Sequence, residues 1–134
     1  MLLPLGVPNR NGRVYTTEMM QGVIIANQER MERKLLVGEL TDYDKMTPES
    51  YGHVNLTTAS HFVTDMRIES GAAGTGWVIC EIEFLDTQAG KMAKMMFDAD
   101  QLDLVPRGSG NITDNIIVDY NLVSIDFIQK EEIR

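Results

Sequence analysis

The chain has 134 residues, 43% hydrophobic and 24% charged, which fits one soluble domain around one core. Twelve basic against twenty acidic residues leave a formal charge of −8, which argues against DNA wrapping or polyphosphate binding, roles that need clustered Lys and Arg. One cysteine, Cys80, excludes an internal disulfide framework and a cysteine-based zinc site, and no apolar run reaches the roughly 20 residues of a bilayer span.

The start, Met1-Leu2-Leu3-Pro4-Leu5, is apolar but lacks a basic region before it, so no signal peptide is expected and the cytoplasm is the expected place of synthesis. Residues 1–13 hold Pro4, Pro8 and the run Asn9-Arg10-Asn11-Gly12-Arg13. Proline removes a donor and Asn-Gly favours tight turns, which predicts a loop or short edge strand. A helix follows. Thr16 or Thr17 can cap it, Glu18 suits its positive end, and Arg30, Arg33 and Lys34 suit its negative end. Met20, Ile24 and Met31 share a face, with Met19 and Val23 beside it. Leu35-Leu36-Val37, stopped by Gly38, reads as a buried strand, and the polar residues 41–52 read as a loop.

Residues 54–68 are rich in β-branched side chains and read as extended; residues 70–74 form a turn. In the next strand Val78, Cys80, Ile82 and Phe84 alternate with Trp77, Ile79, Glu81 and Glu83. The first set is apolar and faces the core, so Cys80 reads as an inert buried thiol. Residues 89–98 read as a short helix with Met92, Met95 and Met96 as its apolar residues. The nine methionines of the chain suit either adaptable core filling or a partner surface that can repack. Leu102-Asp103-Leu104-Val105 reads as a brief strand, residues 106–110 as a turn and residues 115–128 as a last long strand. Strands with about two interspersed helices define an α+β class, built as a closed or half-closed β-barrel. No repeat or linker divides the chain, so residues 1–134 form a single domain.

A serine hydrolase needs a base within reach of its serine. Ser60 and His61 are neighbours in an extended segment, which sends their side chains to opposite faces and bars them from acting as a pair. His61 reads as a structural histidine and His53 as an exposed loop residue. Glu39, Asp42, Asp44 and Glu49 lack the spacing of a calcium loop and read as solvated acidic surface. Arg107-Gly108-Ser109-Gly110 gives a weak anion-nest signal. No phosphate-loop, dinucleotide or zinc motif is present, so no cofactor and no metal are expected. Taken alone, the residues assemble no complete catalytic site.

Several ordered runs together resemble the prohead core proteases of tailed bacteriophages. They are Asn9-Arg10-Asn11-Gly12-Arg13-Val14-Tyr15, Gly38-Glu39-Leu40, Asn55-Leu56 with Ser60-His61, Gly90-Lys91-Met92-Ala93-Lys94, Arg107-Gly108-Ser109-Gly110, and Asp126 within Ser124-Ile125-Asp126-Phe127-Ile128. The resemblance spans residues 9–128. It implies a β-barrel dressed with helices, similar to the herpesvirus maturation proteases, and a serine protease that trims head proteins.

Two catalytic positions depart from that pattern. The family has a histidine two positions after its Gly-Glu-Leu, where this chain has Asp42. An aspartate is ionised near neutral pH and accepts a serine proton poorly. The family has a Ser-Ser pair before its Arg-Gly, where this chain has Val105-Pro106. Arg107, Gly108 and Asp126 remain, but donors aimed at an oxyanion do little without a nucleophile to make one. A slide of two places would offer Ser109 as nucleophile with His61 or His53 as base, against the Gly-Lys and Arg-Gly anchors.

The expectation is therefore a non-catalytic virion structural protein: a capsid-associated, decoration or other head subunit, not an enzyme. The alternatives are a transient factor that binds scaffold or capsid peptides, and an active protease with a rearranged site. The expected partners are phage capsid or other virion proteins in a homo-oligomer or symmetric assembly, with no direct nucleic-acid and no membrane contact. The place expected is the virion, after synthesis in the bacterial host cytoplasm. The short ends, with no obvious propeptide, also suit a building block, and they leave a strand edge that another chain could cover.

Overall fold

The computed structural model describes residues 2–8, 12–42 and 46–130. In chain order its elements are β1 (Leu2–Leu5), β2 (Val14–Tyr15), α1 (Thr17–Ala26), α2 (Gln28–Glu32), β3 (Val37–Glu39), α3 (Pro48–Tyr51), β4 (Ala59–Ser70), β5 (Gly76–Phe84), α4 (Gln88–Asp98), β6 (Leu102–Ser109), β7 (Ile112–Thr113), β8 (Ile116–Ile117) and β9 (Asn121–Gln129). Four helices stand where about two were expected. The predicted first helix divides at Asn27 into α1 and α2, and α3 arises inside the predicted 41–52 loop. There Pro48 opens the helix and Thr47 with Ser50 forms a capping box.

Other boundaries also move. Residues 54–58 are irregular and turn rather than strand, and β4 starts at Ala59. The predicted turn at residues 106–110 is mostly strand, because β6 runs on through Pro106 to Ser109. Among the described residues β6 has β9 as its one ladder partner, so a missing N–H at Pro106 is tolerated as on any edge strand. The predicted strand 115–128 is interrupted. Asp114 and Asn115, both at positive φ, turn β7 back onto β8 before β9 begins. Two left-handed residues in a two-residue hairpin favour glycine at the second. Asn115→Gly is expected to raise stability by up to about 1 kcal/mol, read from urea midpoints.

The strands form an antiparallel sheet in the order β1-β5-β4-β3, beside an antiparallel β6-β9 pair. A parallel bridge from Leu40 to Phe127 and a Thr41 N–H to Phe127 carbonyl bond of 2.9 Å stitch β3 to β9. The composite sheet β1-β5-β4-β3-β9-β6 curls until β1 approaches β6. Among the described residues no ladder joins β1 to β6, so the expected barrel is a half-barrel. Leu5, Met20, Leu36, Val63, Val78, Ile125 and Phe127 fill its interior. Val78 and Cys80 are buried, while Trp77, Glu81 and Glu83 face out, as the alternation predicts.

The helices lie against this sheet. Thr16 caps α1 through its side chain, and Met20 and Val23 turn inward. Arg30 pins α2 to β9, donating to the carbonyls of Leu122 and Val123 at 2.8 Å each. On α4, Ala93 is buried, and Phe97 joins Phe84 and Phe127 in an aromatic cluster. Met96 packs part-buried against the core, but Met92 and Met95 point to solvent.

Candidate functional site

β3, β9 and β6 bring the polar residues of the fold to one place. Val105 and Arg107 lie on the same face of β6, opposite Asp126 and Ser124 of β9. The Arg107 guanidinium is fully buried. Its Nη2 donates to Glu39 Oε2 at 2.6 Å and its Nε to Ser124 Oγ at 3.0 Å, with Asp126 Oδ2 3.2 Å from Nε. Nη1 faces Met46 Sδ at 3.3 Å and the Ser50 carbonyl at 3.5 Å. Asp126 Oδ1 accepts the Glu39 N–H at 3.0 Å and the Ser124 hydroxyl at 2.9 Å. The Thr58 hydroxyl donates to Glu39 Oε1.

Two carboxylates thus share one cation, and the neutral donors of Thr58, Ser124 and the Glu39 amide offset the surplus negative charge. Among the described residues no buried side-chain nitrogen or oxygen lacks a partner. The network ties three strands to the segment that carries α3.

His61 lies beside it. Its Nε2 is 2.7 Å from the Ile125 carbonyl and its Nδ1 is 2.7 Å from Ser60 Oγ. A carbonyl only accepts, so Nε2 carries the hydrogen and Nδ1 takes the Ser60 hydroxyl. The ring also packs on Phe127, centroids 4.5 Å apart. The expectation that Ser60 and His61 point to opposite faces is overturned. β3 pairs Gly38 with His61 and Glu39 with Ala59, so Ser60 is an extra residue in a β-bulge and both side chains turn inward.

Burial lowers the His61 pKa from its ordinary 6.5 to about 4, against a smaller upward pull from the Ile125 carbonyl. The unfolded chain binds this proton more readily than the fold does. The contribution is therefore complete above pH 6.5 and is lost as the pH falls from there toward about 4. The loss is expected to total about 3 kcal/mol. Urea unfolding between pH 7 and pH 4.5 reads it, and His61→Gln flattens the part of the slope that His61 supplies.

The remaining predicted site residues fall as follows. Asp42 is exposed, just past the Leu40–Phe127 bridge. Val105 lies level with Asp126 and Pro106 level with Ile125, so β9 stands between the continuation of β3 and these two positions. Gly108 follows a bulge, and an added Cβ would lie 2.1 Å from the Asn121 carbonyl oxygen, so close strand approach requires glycine there. Ser109 is exposed at the end of β6, opposite Asn121, and is not joined to His61, whose two nitrogens are held by Ile125 and Ser60. His53 is exposed.

The structure also corrects the acidic-loop and anion-nest readings. Glu39 is buried against Arg107 rather than solvated, Asp42 and Glu49 are exposed, and Asp44 lies outside the described residues. Residues 107–109 are strand, so their N–H groups do not form a nest. Among the described residues no cluster of three or more His, Cys, Asp or Glu could hold a metal. Burial pushes the Cys80 thiol up to about 12, in keeping with an unreactive core residue.

Sequence reasoning missed Glu39, Thr58 and Ser124 as members of one network. A signal was present: Ser124 and Asp126 are polar at i and i+2 in an otherwise apolar strand. Two such residues on one face of a buried strand require a partner, and Arg107 is the cation on the neighbouring strand.

No protein-family model matches the chain, and no curated protein does. The bacteriophage T4 capsid assembly protease, gp21, has a similar fold. The TM-score is 0.66 at 16% identity, over 96% of this chain and 79% of that one. At this identity the likeness is one of fold, and it places the chain on a phage-protease-like scaffold.

Proposed function

We propose that this chain is a non-catalytic structural protein of a phage head, built on the prohead-protease-like fold. The observation that carries the reading is chemical. Where the resembled proteases have a histidine and a serine pair, this chain has Asp42, Val105 and Pro106. None of these supplies a base poised near neutral pH or a nucleophilic hydroxyl. The neighbouring Arg107 and Asp126 side chains are spent on a buried network that holds three strands together. A fold does not fix a function, and a scaffold without its chemistry still offers surfaces for assembly. In this reading the partners are capsid or other virion proteins, and the chain is made in the host cytoplasm before joining the head.

The test is the copy number of the full-length chain in purified mature particles, by quantitative mass spectrometry. Tens to hundreds of copies per particle are expected of a shell component. Near-zero copies, with abundant protein in assembly intermediates, would replace this reading with that of a transient factor. Ser109→Ala is expected to leave processing of co-expressed capsid protein unchanged; lost processing would restore the protease.

A further inference from the structure

Two surface features remain unexplained by the fold, and they are complementary. The first is an open groove of about 550 Å³ between α1 and the residues that join β8 to β9. That volume is in the range of about 300–1,000 Å³ seen for pockets that take a ligand. Met19, Val23, Ile116 and Val118 give it apolar walls, Glu18 and Asp119 also line it (Asp119 while accepting from the Asn111 N–H and side-chain amide), and among the described residues no lysine or arginine does. Its helical wall carries Gly22 in mid-helix, where glycine is a poor helix former. An added Cβ there would meet nothing within 4 Å, so internal packing does not require the glycine.

The second feature is the outer side of α4. Met92 and Met95 stand three residues apart, 48% and 69% exposed, on the side that solvent should make polar. Lys91 and Lys94 flank them, in exposed pairs with Asp86 and Asp98 that are weak and salt-screened. A flexible methionine ridge with flanking cations matches an apolar groove with acidic residues.

We propose that the α4 ridge of one copy seats in the α1–β8 groove of the next, a head-to-tail contact between copies of this chain. The two surfaces are different parts of one molecule, so the contact is heterologous and propagates into a ring or an open chain of subunits. The recognition is a helix laid in a groove, with Met92 and Met95 as anchors and the lysines facing Glu18 and Asp119. This deepens the structural-subunit reading and rests on it.

The test is sedimentation velocity on the full chain over a concentration series at low and high salt. Wild type is expected to grow beyond a dimer as concentration rises, and less so at high salt. Gly22→Leu fills the groove and Met95→Glu charges the ridge. Each is expected to weaken association at least about tenfold alone. An equimolar mixture of the two is expected to form a 1:1 dimer that grows no further, because each supplies the surface the other lacks. Circular dichroism melts confirm that both variants fold. A wild type that stays monomeric at hundreds of micromolar overturns the proposal. So does Gly22→Leu assembling like wild type while Met95→Glu does not, which would mean that α4 pairs with itself. Particle copy number is read separately, so a monomer in solution with many copies per head refutes this contact and leaves the structural role standing.

Discussion

Arg107→Met is expected to destabilise the domain by about 3–5 kcal/mol, measured by urea unfolding at neutral pH. The Arg107 side chain and that of Asp126 are fully buried, and that of Glu39 is 4% exposed. Methionine fills much of the same space, so little of the loss comes from a cavity. The loss comes from two carboxylates left in the interior without their cation. A domain of this size is stable by roughly 5–15 kcal/mol, so one substitution removes a large part of that. Arg107→Lys is expected to recover only part of it. A single ammonium cannot serve Glu39 and Ser124 from opposite sides of a planar fork. The combined variant Glu39→Met, Arg107→Met, Asp126→Leu is expected to be more stable than Arg107→Met alone, because no charge is then stranded. A cost below about 1 kcal/mol for Arg107→Met would mean that water reaches the carboxylates and that the network does not hold the strands.

The same network shows where sequence reasoning reaches its limit. Alternation within one strand was readable: Val78 and Cys80 lie inward, and Thr16 caps α1, because each depends on residues a few positions apart. The α+β class and the similarity to a phage protease scaffold were readable from ordered motifs spread over the chain. The pairing of Glu39 with Arg107 spans 68 positions and depends on β9 lying between β3 and β6. Local patterning carries no such information, so Glu39 read as loop surface. The bulge at Ser60 was hidden for a related reason. A bulge shifts the inward face by one residue and leaves no mark in composition. Pro106 misled in the opposite direction, since proline ends strands except at edges, and edge status is a property of topology.

Gly38→Ala is expected to be strongly destabilising for the addition of a single methyl. The new Cβ would lie 2.1 Å from the Ile125 carbonyl oxygen and 2.2 Å from His61 Nε2. One wall is the backbone of β9. The other is a buried ring fixed by bonds at both nitrogens, one of them to that same carbonyl. Neither can yield by a side-chain rotation, so β3 must part from β9 or His61 must leave its place. Overpacking costs about 1–3 kcal/mol and a broken buried hydrogen bond about 1–3 more, which gives an expected loss of at least about 3 kcal/mol. Gly22→Ala is the control: its Cβ meets nothing within 4 Å, and it should be neutral or stabilising by up to about 1 kcal/mol. Should Gly38→Ala fail to fold, Gly38→Ala with His61→Ala removes one of the two walls and is expected to recover measurable structure. Equal stability of Gly38→Ala and wild type would mean that the strands are farther apart than these distances require. The effect reaches the candidate site, because Gly38 sets the approach that brings the Glu39 amide to Asp126 and the Glu39 carboxylate to Arg107. The absence of one Cβ on β3 lets three strands share a single buried cation.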